Sequence, residues 1–72
     1  MRRLLNERIS GAPEVRHKLF ATEELATKEL ERILNHHRQR GRIVKDKWIG
    51  GEHRYVVEDS SGFVAVHWLS DR

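Results

Sequence analysis

At 72 residues the chain is long enough for one small domain, 1–72, since a chain of this size buries only about 60% of the surface it exposes when unfolded. Hydrophobic residues at 38% and charged residues at 35% permit a modest core, and no apolar run approaches the roughly 20 residues of a membrane-spanning helix. The net charge of +3 points toward anionic partners, and the absence of cysteine excludes disulfides and thiolate metal sites, which favours a reducing, cytoplasmic setting.

Residues 1–20 admit two readings. Leu4, Leu5 and Ile9 fit a short helix closed by Gly11 and Pro13, and Val15, His17 and Leu19 alternate with polar neighbours as an edge strand over 14–20 does. From Thr22 to Arg40 the pattern is helical. Leu25, Ala26, Leu30, Ile33, Leu34 and His37 recur at spacings of three and four, Thr22 is a good N-cap, and Glu23 and Glu24 complement the positive end of the dipole. Gly41 is the expected left-handed stop.

Beyond Gly41 the period becomes two. Strands are expected over 42–49, 52–59 and 63–69, joined by Gly50-Gly51 and by Ser60-Ser61-Gly62. The fold class is therefore α+β: one long amphipathic helix on a three-stranded antiparallel meander over 42–69, completed by the N-terminal short helix or edge strand. Registering the strands on their turns sets Trp48 opposite His53, Val44 opposite Val57, Val57 beside Ala65 and Tyr55 beside His67. One face then carries Val57, Ala65, His67 and their neighbours, and the other carries Val56, Val64, Val66 and Trp68. A single helix covers only one face. The apolar patch of Val56, Val64, Val66 and Trp68 accordingly suggests a homodimer, in which the same surface covers itself about a two-fold axis.

The charge is unevenly distributed. From Arg32 to Lys47, six cations stand against Asp46 alone. The helix end and first hairpin thus offer Arg38, Arg40, Arg42, Lys45 and Lys47, with Arg54 beyond, as a surface for nucleic acid or a nucleoprotein, and Trp48 or Trp68 as a stacking group for an unpaired base. No Gly-rich phosphate loop, nucleophile motif or cofactor signature is present. The five histidines lack metal-ligand spacing, because His36 and His37 point about 100° apart on a helix.

An alternative reading places catalysis at His53, near Tyr55 and Asp46, as a general acid or base for RNA cleavage. Lys28-Glu29-Leu30, Gly51-Glu52-His53, Asp59-Ser60-Ser61-Gly62 and Val64-Ala65-Val66 resemble loosely the HicA-type toxin ribonucleases, in which a helix precedes three strands. That resemblance implies a functional role for His53, although Glu52 stands where the family has serine and residues 1–20 have no counterpart in it. The expected function is non-enzymatic binding through the basic surface. A toxin-type ribonuclease and a structural homodimer are the alternatives.

Overall fold

Thr22 starts the helix by the mechanism its sequence advertises. Its backbone is extended and its Oγ1 accepts the Leu25 amide at 3.2 Å, so one otherwise unpaired donor of the first turn is satisfied. The helix α1 runs Glu23–Gln39 and ends where Gly41 adopts a φ of 77°, a conformation that only a residue without Cβ takes cheaply. Ala26, Leu30, Leu34 and His37 form its buried stripe.

Residues 1–71 are described by this computed structural model. Five strands, β1 Leu4–Ile9, β2 Arg16–Leu19, β3 Ile43–Ile49, β4 Glu52–Glu58 and β5 Val64–Ser70, form one antiparallel sheet in the order β2-β1-β5-β4-β3. Helix α1 thus crosses from one edge of the sheet to the other, packing on β1, β5 and β3 on the way. Gly50 and Gly51, both at positive φ, make the two-residue turn between β3 and β4.

The class is α+β, and the meander and its register are as the turns dictate: Trp48 opposes His53, Val44 opposes Val57, Val57 opposes Ala65 and Tyr55 opposes His67. The sheet is nevertheless wider than a three-stranded meander. Residues 14–20 supply the edge strand β2, but Leu4–Ile9 is a strand and not a short helix. It pairs along β5 from Leu4–Ser70 to Ile9–Ala65, so β5 has neighbours on both sides. The apolar positions Leu5 and Ile9 share the helix-facing side with Glu7 between them. That one charged residue breaks the period-two signal.

The covered face is the one bearing Val57, Ala65 and His67. Leu5, Leu30, Leu34, Val57 and Ala65 form the buried cluster, with Ile9, Phe20, Ile33, Val44, Tyr55, Phe63 and Leu69 packed around it. Residues 1–20 extend the sheet sideways and do not shield its other face. On that other face Val56 and Trp68 are buried within a single chain, while Val66 is half-buried and Val64 exposed. The expected patch of four exposed apolar residues is therefore half covered already. The reason is the Arg54 guanidinium, which lies 4.4 Å from the Trp68 ring, together with the long side chains of neighbouring strands.

Candidate nucleic-acid interface

The solvent-facing side of the sheet is organised in transverse rows. One central row reads Arg8, Val66, Val56, Lys45, and the next reads His17, Asn6, Trp68, Arg54, Lys47. Cations therefore flank an apolar floor. Arg8, Lys45 and Lys47 are exposed and Arg54 is half-buried. Lys45 lies 3.4 Å from Glu58 and Arg54 3.3 Å from Glu52, contacts between partly solvated groups that leave both cations able to exchange partners. Asn6 anchors the floor. Its Nδ2 donates to Ser70 Oγ at 2.9 Å and to the Trp68 carbonyl at 3.3 Å, which turns its Oδ1 toward His17 Nδ1–H at 2.6 Å.

The six cations singled out in the sequence separate into three groups. Lys45, Lys47 and Arg54 share this face. Arg38 and Arg40 project from the end of α1 near the start of β3; both are exposed, and Arg38 reaches Asn35 Oδ1 at 3.1 Å. Arg42 is committed inside the molecule. Its guanidinium lies 4.5 Å from the Phe63 ring, its NH1 donates to His37 Nδ1 at 3.0 Å, and its Nε is 3.6 Å from Asp59 Oδ2. Asp59 is itself fixed in a turn, accepting from Ser61 Oγ and from the Ser61 and Phe63 amides, and these bonds hold its carboxyl below the ordinary carboxylate range. Arg8, on β1, joins the cationic face; with β1 unassigned, no sequence signal connected it to Lys45.

Arg42→Gln is expected to destabilise the fold by about 1–3 kcal/mol, because it strips a partner from a buried histidine. Arg40→Gln, at an exposed position, is expected to stay within about 0.5 kcal/mol. Urea unfolding of the two variants distinguishes them, and equal effects would show that Arg42 has no internal role.

Beneath the helix lies a second arrangement. All five strands contribute an ionisable residue to one row: Arg16, Glu7, His67, Tyr55 and Asp46. His67 is fully buried, and His37 descends from the helix onto it, with the two Nε2 atoms 3.2 Å apart. The protons can be placed by elimination. Arg42 only donates, so His37 Nδ1 accepts and its proton sits on Nε2, where it is donated to His67 Nε2. His67 then carries its proton on Nδ1, which faces Glu7 Oε1 at 3.9 Å with no closer acceptor. Burial pushes both histidines toward the neutral form.

His53, on β4, lies on the same side of the sheet as His67 and is half-buried. It stacks on Trp48 with ring centroids 4.8 Å apart, while its Nδ1 is 3.3 Å from Tyr55 Oη and its Nε2 3.6 Å from Asp46 Oδ1. Tyr55 is pushed up by burial and by the Asp46 charge, so it donates and is not a ready base at neutral pH. Among the described residues there is no group of three or more potential ligands suited to a metal ion, and no helix long and apolar enough to cross a membrane. No protein-family model matches the chain, and no curated protein or solved structure is significantly similar to it.

Proposed function

We propose that the chain binds nucleic acid, alone or within a nucleoprotein, through the solvent-facing side of its sheet. The observation that supports this reading is the pair of central rows, in which Arg8, Lys45, Lys47 and Arg54 surround Val56, Val66 and Trp68. Lysine and arginine ends contact phosphates, and their contact releases condensed counterions. Arg54 has a further part. Held over the Trp68 ring at 4.4 Å, its guanidinium offers a planar cation on which an unpaired base stacks. Arg38 and Arg40 extend the same attraction past the β3 edge, whereas Arg42 belongs to the core.

The test is a titration of an oligothymidylate strand and of a duplex between about 50 and 200 mM salt. Affinity is expected to fall steeply with salt. In an Arg8→Gln/Lys45→Gln/Lys47→Gln variant the log–log slope for the single strand is expected to be shallower by about 2, since each phosphate no longer neutralised lowers it by about 0.7. Binding with no salt dependence, or a variant with the parental slope, would overturn the proposal.

A further inference from the structure

We propose that the outer edge of β3 is a docking site for an extended acidic segment of a partner protein, which joins the sheet as an additional antiparallel strand. β3 is seven residues long and is paired only on its β4 side. It also carries more exposed large apolar side chains than any other element: Ile43 is 61% exposed, Trp48 69% and Ile49 47%. The opposite edge, β2, has four residues, of which Arg16, His17 and Lys18 are polar and exposed. Short, charged edges resist pairing. Lys45 and Lys47 on β3 would serve the same protective purpose, but protection does not account for three large apolar groups on one open strand.

A second copy of the chain fits this edge poorly. Two-fold antiparallel pairing of β3 over its full length sets Ile43 against Ile49 and Val44 against Trp48, which is favourable. It also sets Lys45 against Lys47 twice and Asp46 against its own copy. Sliding the register by two residues brings Lys45, or Lys47, opposite itself. Like charges directly opposed across strands are destabilising, so every in-face register that pairs five or more residues of β3 meets a repulsion at its centre. Joining β3 to β2 of another molecule pairs two net cationic strands.

A heterologous strand has no such conflict. Carboxylates opposite Lys45 and Lys47 with apolar residues opposite Ile43 and Ile49 satisfy the solvent-facing side. The unpaired amides and carbonyls of β3 supply the main-chain bonds that give strand addition its affinity. Lys45 and Lys47 are also phosphate contacts in the nucleic-acid reading. A strand bound here therefore excludes nucleic acid from half of the cationic face, and the two partners compete.

The probe is the peptide Ile-Thr-Glu-Thr-Glu-Thr-Ile, titrated into the 15N-labelled full chain. Shifts are expected along 43–49, with slowed exchange of the outward-facing β3 amides and little change in β2. Lys45→Glu/Lys47→Glu is expected to weaken the acidic peptide at least about tenfold and to bind its lysine-substituted counterpart instead. Spectra unchanged at millimolar peptide, shifts centred elsewhere, or a reversed variant that binds like the parent would overturn the inference. So would light scattering that shows a dimer abolished by the same double variant, since the occupant would then be a second copy. Oligonucleotide titration of the same samples separates the two readings: nucleic-acid binding without peptide binding removes only this one, and peptide binding without nucleic-acid binding removes only the other.

Discussion

Lowering the pH below about 6.5 is expected to destabilise the protein well before its carboxylates titrate, with a slope of up to about 1.4 kcal/mol per pH unit for each of two histidines. Burial holds His67 below the ordinary histidine range. Burial also holds His37 there, aided by His67, Arg42 and His36 and opposed by Glu7. In the unfolded chain both titrate near 6.5. The unfolded state therefore binds more protons below that value, so stability is full above it and is lost as pH falls toward the folded-state values. Glu7 on β1, Tyr55 on β4, and Arg42 and His36 on the helix side are the ionisable neighbours of the pair. None of them provides an acceptor that a buried imidazolium would require, because Glu7 stands 3.9 Å from His67. Glu29 and Asp59, held below the ordinary carboxylate range, contribute only at more acid pH.

Urea unfolding across pH 5–8 measures the limb. His67→Leu alone leaves the His37 Nε2–H without an acceptor and is expected to cost about 1–3 kcal/mol at neutral pH. His37→Leu/His67→Leu removes both members of the pair and leaves Arg42 to Asp59 and solvent, so it is expected to cost less than His67→Leu at pH 7 and to flatten the acid limb. An equally steep limb in the double variant would assign the proton uptake elsewhere.

The second large effect is expected at Leu34. Its side chain is buried against the sheet within the cluster of Leu5, Leu30, Val57 and Ala65. Leu34→Ala removes that packing and leaves a cavity, at a cost of about 2–5 kcal/mol. A domain of this size has roughly 4–11 kcal/mol in total, so the variant is expected to lose about half of its stability and to unfold at a much lower urea concentration. Leu25, on the same helix but exposed, is the control, and Leu25→Ala is expected to change stability by about 0.5 kcal/mol or less. Comparable urea midpoints for the two would mean that the helix is not packed as described.

Local signals carried much of this fold. Thr22 and Gly41 bracket the helix, the Gly50-Gly51 turn fixes the β3–β4 register and with it the Trp48–His53 pairing, and the Ser60-Ser61-Gly62 turn fixes the β4–β5 register and with it the Tyr55–His67 pairing. What stayed hidden was non-local. Leu4–Ile9 reads as a helix because Glu7 occupies an inward position and breaks the expected alternation, while Asn6 beside it faces outward and is buried although polar. The two residues are tolerated because His67 and Arg16 flank Glu7, while Ser70, His17 and the Trp68 carbonyl satisfy Asn6. The candidate surface was legible as composition but not as geometry. A run of cations cannot reveal that Phe63, Asp59 and His37 converge on Arg42, nor that Arg54 covers Trp68.

The strand order has a kinetic side. The first strand of the sequence closes onto the last, from Leu4 opposite Ser70 to Ile9 opposite Ala65, so the centre of the sheet is assembled from segments 56 to 66 residues apart. Pairings of such large sequence separation bear the loop-closure entropy before any contact repays it, and they slow folding relative to helical proteins of equal size. During synthesis β1, β2 and α1 leave the ribosome before β5 exists. Until then the inner edge of β1 and the apolar stripe of α1 have no permanent partner. The nascent chain passes through an interval in which its most adhesive surfaces are its oldest, and release from that interval comes with the arrival of a single strand.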